Sequence, residues 1–310
     1  TRPYTELAYL LGSKAEQLIN VLHTQNRKDN FNFSLEYRFS NAPGNVKNQN
    51  ASHNNFRFTS QYKSPNRKYG LYFIFLSNKA ASSENGGLQN VKRLDSLSLN
   101  DPYELETRLG RSGAARRNPF NTGVNTGNTY KESTLFIRHF YDFGKKDSLV
   151  TDSTTYKIFY PKFRLEHTLR YSSNSYQFID NAVDSLLYEQ YFNRIVPNRV
   201  NIGYDDRWTS IVNQFSMLTF PDKNNLSQFI KAGIALQNLS GRFDSILRKG
   251  TYNIYALGEY RNRTKNQVWD IEARGELYLN GWNAGDYEAW ISMKRLLGKK
   301  LGYLNVGFHN

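Results

Sequence analysis

No cysteine occurs in the 310 residues, which excludes disulfide scaffolds, thiolate metal sites and cysteine nucleophiles. No stretch approaches about 18 uncharged apolar residues, so the sequence encodes no membrane-spanning helix. Alternating strands escape that test. A phosphate loop and a dinucleotide fingerprint are also missing. The five histidines, His23, His53, His139, His167 and His309, lack the i, i+4 pairing of a helical metal site. No serine or aspartate is spaced with a histidine as catalysis at a barrel rim would require. We therefore expect no enzyme, no cofactor and no metal. Residues Thr1–Glu6 do not form a secretory leader, so an exported chain would have lost one or would begin inside a longer protein. No linker separates two cores, and residues 1–310 read as a single domain.

What is abundant is aromatic and basic. There are 22 Tyr and 20 Phe, yet hydrophobic residues make up only 39%, below the roughly 45–50% of soluble domains. That combination suits a wall whose outer band alone is apolar, with aromatic girdles and a polar interior. A net charge of +14 admits nucleic acid, anionic lipid or acidic ligands. The cations are dispersed and no nucleic-acid-binding motif accompanies them, so nucleic acid is not expected as a partner.

Alternation is strict where it can be read. Phe31, Phe33, Leu35, Tyr37 and Phe39 fall on one face, and Asn32, Ser34, Glu36 and Arg38 on the other. Phe163 to Tyr171 and Trp269 to Leu279 repeat the pattern with charged second faces. The runs Asp206–Phe220, Leu226–Leu239, Tyr252–Arg263 and Gln267–Asn280 last about 12–15 residues, longer than the about 5–6 of globular strands. A tilted membrane strand needs about 9–11. Short links at Asn26–Asp29, Ser64–Arg67, Pro221–Asn225, Arg263–Asn266 and Gly298–Lys299 alternate with longer ones at Asn41–Ala51, Lys79–Asn128, Ser172–Asp205, Ser240–Gly250 and Gly281–Asp286. Gly144–Thr155 takes a short-side place. Sorting of link length by parity marks outer-membrane barrels. The expected fold is all-β, an antiparallel up-and-down transmembrane β-barrel, with about 13 or 14 strands visible. Because such barrels normally close on an even number, we read the chain as an incomplete segment of a larger barrel.

Long outward links are expected at 79–128 and 172–205. The first carries Gly86-Gly87, an alternating stretch from Leu94 to Leu99, and a basic cluster, Arg111, Arg116 and Arg117. These arginines are our candidates for contact with an anion or a partner, through either a constriction loop or a solvated external loop. The second link spaces Leu186, Leu187, Tyr191 and Phe192 as a short helix would. Candidate lumen residues are Glu36, Arg38, Arg57, Arg164, Glu166, Arg170, Glu259, Arg261, Asp270, Glu272, Arg274 and Glu276. Mixed charge of this kind orients dipolar solutes in a pore, and it also serves simply to line a wide polar interior.

Three segments carry a resemblance. Arg2–Leu18 followed by Val21–Asn26, then Tyr278–Tyr287, then Leu301–Asn305, resemble the "putative porin" family of Bacteroidetes-type outer membranes. The resemblance implies an outer-membrane barrel in a Gram-negative bacterium and, since family members are longer, strands missing at both ends. Partners expected on this reading are membrane lipid and lipopolysaccharide, small hydrophilic solutes and another outer-membrane protein. The leading expectation is a channel for small hydrophilic solutes. Its rivals are a plugged structural or assembly barrel and a soluble carbohydrate-binding β-protein.

Overall fold

The computed structural model describes residues 2–12, 16–110, 123–150, 155–197, 200–244, 247–298 and 300–310. The strands are β1 Tyr4–Leu11, β2 Gln17–Arg27, β3 Phe31–Ala42, β4 Ala51–Lys63 and β5 Tyr69–Ser83. After the longest link come β6 Thr126–Val150 and β7 Thr155–Asp180, and then the one α-helix among the described residues, α1 Ser185–Phe192. The chain continues with β8 Ile202–Thr219, β9 Gln228–Phe243, β10 Leu247–Arg263, β11 Trp269–Gly281, β12 Tyr287–Gly298 and β13 Gly302–His309. All 13 strands lie in one sheet in chain order, each antiparallel to the next. The expected all-β up-and-down architecture is present. The sheet is not closed, and β1 and β13 are its two edges.

Period-two alternation persists because the register keeps like faces together. Phe33 of β3 stands opposite Ser60, and the same line continues through Phe73, Ile137, Leu169, Asn213, Leu236 and Ile254. On the other face, Gln61 leads to Tyr72, Arg138, Thr168, Gln214, Ala235, Tyr255 and Tyr278. A slip of one residue anywhere would exchange the faces.

The burial is inverted relative to a water-soluble protein. Phe215 and Ile234 on the apolar face are 61% and 51% exposed, whereas Lys231 and Glu166 on the polar face are 8% and 7% exposed. A soluble sandwich would cover the apolar face with a second sheet; among the described residues none does so. The polar face is the concave one. Arg170 of β7 lies within charge range of Tyr255 on β10 and Glu276 on β11, although a flat sheet would hold β7 and β11 about 19 Å apart.

The apolar band also climbs across the ladder. On β3 it reaches Phe39, but the same register line passes on to Lys131 of β6 and Arg207 of β8. A band that drifts against the register means strands inclined to a common axis, as in a barrel wall.

Links at one end span 28–30, 64–68, 151–154, 220–227, 264–268 and 299–301. Two of them share a design. Ser64 Oγ accepts from Tyr69 N and Asn66 Oδ1 from Lys68 N; Thr264 Oγ1 and Asn266 Oδ1 do the same for Trp269 N and Val268 N. Arg67 and Gln267 hold left-handed φ of 57° in the two turns, a position where the side-chain caps offset an unfavourable backbone.

At the other end the strands run further than their composition suggests. The link expected at 79–128 spans 84–125, and that expected at 172–205 spans 181–201. Ser240–Gly250 is mostly strand, since β9 and β10 stay paired out to Phe243 and Leu247; the link is only 244–246. The five-residue link 282–286 is no longer than 264–268 across the sheet. The link 43–50 is no longer than 220–227 across the sheet either, so the parity of link length rests on 84–125 and 181–201. Gly144–Thr155 is likewise mostly hairpin: β6 and β7 pair past a bulge at Phe143/Gly144, beyond the last β7–β8 pair, Phe163↔Thr219. That ribbon stands clear of the sheet, with Lys68 Nζ 5.9 Å from the Phe159 ring centre and Lys223 Nζ 5.9 Å from that of Tyr160.

Gly70 stands directly opposite Phe140, whose buried ring lies where a β-carbon at Gly70 would fall. Arg164 Cζ sits 3.7 Å from the ring centre. Replacing Gly70 with Val should displace the ring and the guanidinium stacked on it, at a cost of about 1–3 kcal/mol, read as a lower urea midpoint for the folded protein. An unchanged midpoint would show that the ring has room to move.

Candidate functional site

The concave face holds the chemistry. All twelve anticipated charged residues fall on it, joined in local groups rather than one cluster. On β3 and β4, Glu36 pairs with Arg57 and, at 3.5 Å, with Arg38. On β10 and β11, Glu259 stands opposite Arg274 and Arg261 opposite Glu272. Arg261 lies 3.6 Å from Asp270, and Arg274 lies 3.7 Å from Glu272. The Arg274 guanidinium also rests 4.6 Å from the Trp290 ring centre. Glu276 faces Glu288 across β11 and β12, within charge range of Arg170.

Between these groups lies a buried part of the face, which sequence pattern identified only in part. Arg164 grips Asp142 through Nε at 2.6 Å and Nη2 at 2.9 Å, a bidentate pairing that fixes both planes. Glu166 accepts from Lys231 Nζ at 2.7 Å, with Arg138 Nε 3.9 Å away. Asp142, Lys231 and Arg138 were not anticipated. Their partners are distant in sequence, and only the register brings β6, β7 and β9 into contact. Such pairs give a sealed polar floor, since a buried charge without its partner is costly.

At the end bearing the longer links, 43–50, 84–110 and 181–197 pack into a pad. Asn48 Nδ2 donates to Thr107 Oγ1 and to the carbonyls of Leu109 and Gly110. Lys47 pairs with Glu106 at 3.2 Å, and Leu105 and Thr107 are each 1% exposed. The anticipated helix is α1, capped by Asp184, which accepts from Leu186 N and Leu187 N. Arg108 stacks 5.0 Å from the Tyr191 ring centre. Fully buried Asp180 ties the pad to the wall, accepting from Thr126 Oγ1 and from the Tyr188 hydroxyl, each at 2.7 Å. Arg111, Arg116 and Arg117 lie outside the described residues.

A curled single sheet, apolar outside and charged inside, matches one family along its entire length. The family described as "Putative porin" covers residues 1–310. The chain belongs to it. No curated protein matches the sequence. Among the described residues no group of three or more His, Asp or Glu is placed to take a metal ion, and no helix is long and apolar enough to cross a membrane.

Two outcomes follow from the buried groups. Lys231→Met should cost about 3 kcal/mol by stranding the Glu166 carboxylate, and adding Glu166→Gln should recover most of it. A double variant as unstable as the single one would show that the pair itself, not charge stranding, carries the stability. Burial, reinforced by Asp180, pushes the Tyr188 phenol well above its ordinary value. A raised folded-state value gives stability that is complete below the ordinary tyrosine range and fades only as pH climbs through the higher one. Protease resistance of 181–201 should therefore persist at about pH 10, and Tyr188→Phe should lose it at neutral pH. Equal resistance in the variant would exclude Tyr188 as the tether.

Proposed function

We propose that this protein is the wall of an outer-membrane β-barrel channel that passes small hydrophilic solutes along its concave, mixed-charge face. The observation that carries the reading is the inverted burial: an uncovered apolar face needs lipid, and a curled charged face needs water. Family membership supports the same non-enzymatic role. The pad of longer links would then stand at the outer mouth. In a bilayer the free edges of β1 and β13 must meet other strand backbone, because unpaired peptide groups are not tolerated in hydrocarbon. The soluble carbohydrate-binding alternative leaves the apolar face unexplained.

A second reading keeps the barrel but makes it a docking platform. It draws on exposed Val91, Leu94 and Leu97 in the link 84–125, which offer apolar contact to another outer-membrane protein. Conductance separates the two. The full-length protein in a planar bilayer should give discrete openings, and reversing the exposed lumen arginines Arg38 and Arg170 to Glu should move the reversal potential toward cations. Replacing Arg111, Arg116 and Arg117 with Ala should shift it the same way if these arginines line the mouth. A folded, inserted protein that stays silent would end the channel reading, and a stoichiometric partner lost on mutating Leu94 and Leu97 would establish the platform.

A further inference from the structure

One register line on the apolar side carries an unexpected run of charge. Lys79 of β5 stands opposite Lys131 of β6, then come Ser175, Arg207, Arg242 and Arg248 on β7 to β10. Five cations thus share one line, a pair on β5 and β6 and a triplet on β8 to β10 with Ser175 between them, and adjacent members stand at strand spacings of about 4.8 Å, an arrangement that repels itself. Asp205, paired with Arg242, is their one carboxylate partner among the described residues. Lys79, Lys131, Arg207 and Arg248 are exposed. The next line toward the apolar band is hydroxyl: Ser77, Ser133, Ser173, Thr209 and Ser240. Beyond it the band proper begins with Phe75, Leu135, Tyr171 and Ile211. All of this sits at the end of the sheet that carries the longer links.

We propose that this row, centred on Arg207, Arg242 and Arg248, binds the phosphorylated headgroup of a membrane lipid in the outer leaflet. The inference rests on the reading that the apolar face meets lipid. Acyl chains would lie against the band, sugar hydroxyls would meet the serine and threonine line, and phosphates would reach the arginines. Arginine's planar fork suits phosphate oxygens, and bound phosphate would relieve the repulsion that the row otherwise carries. A free anion would gain the cations but make no use of the adjoining hydroxyl and aromatic lines. This graded order of aromatic, hydroxyl and cation is what favours a lipid.

The test uses the full-length protein in detergent, titrated with bisphosphorylated lipid A and with lipid A stripped of phosphate, and read by native mass spectrometry. The phosphorylated form should bind at least about tenfold more tightly, given the usual gain per basic residue at a charged membrane surface. Arg207→Gln, Arg242→Gln and Arg248→Gln together should abolish that preference, while Arg38→Gln with Arg170→Gln on the concave face should leave it intact. Should the triple variant not fold, Arg207→Gln and Arg248→Gln singly should each weaken binding severalfold. No preference in the unaltered protein, a preference that survives the triple variant, or one lost in the concave-face variant would overturn the proposal. So would displacement of the lipid by millimolar inorganic phosphate, which would mark a free-anion site. Insertion into phospholipid vesicles without lipid A is scored separately, and its failure would count against the barrel reading instead.

Discussion

The structure depends on one uninterrupted backbone hydrogen-bond ladder. Each strand pairs with its sequence neighbours along nearly its whole length, so between the two edges, β1 and β13, the strands' peptide groups are satisfied without help from side chains. That frees the side chains of each face to answer to a different environment. With little conventional core, packing is thin: few hydrophobic residues are buried, among them Val212, Ala235 and Tyr255, which cluster on the concave side. Cohesion comes from the ladder, from cross-strand aromatic contacts such as Phe58 with Phe73, and from ion pairs on the inner face.

Those inner pairs differ in what they do. Arg164 with Asp142 and Lys231 with Glu166 are screened from solvent and lock three strands together, whereas Glu36 with Arg38 and Arg274 with Glu272 sit more openly. Exposed pairs of the second kind add little stability. They remain free to interact with whatever occupies the concave space, and the buried ones do not. The distinction assigns the floor between β6 and β9 to architecture and leaves the flanking groups open to the concave space.

Face assignment was legible in sequence because Phe31 to Phe39 and Trp269 to Leu279 alternate without error, and the register puts the twelve charged positions on one face of the sheet. Strand length was not. Ser173, Ser240, Arg242 and Arg248 have the composition of a loop, yet they continue strands whose ends lie outside the apolar band and need no hydrophobic side chains. Lys231 escaped notice because its carboxylate is 65 residues away. The basic row escaped for a stronger reason: its members come from separate strands between Lys79 and Arg248, and no single stretch of sequence looks basic. The helix α1 was readable from the near-helical spacing of Leu186, Leu187, Tyr191 and Phe192, and the structure adds the cap that Asp184 supplies ahead of them.

The drift of the apolar band against the register has a consequence for how this family can vary. Gaining one residue within a strand would turn its apolar-face residues inward, and gaining two would slide its stretch of the band by about 7 Å. Neither change stays local, because every neighbouring strand is aligned to it. Length changes should therefore accumulate in the links, or at places where the ladder already absorbs an extra residue: Phe143/Gly144, Ile254/Tyr255 and Leu296/Gly298. Bulges are the tolerated form of insertion in a sheet. Homologous chains should thus differ freely in loop length while keeping strand lengths nearly fixed, an evolutionary signature of inclined strands.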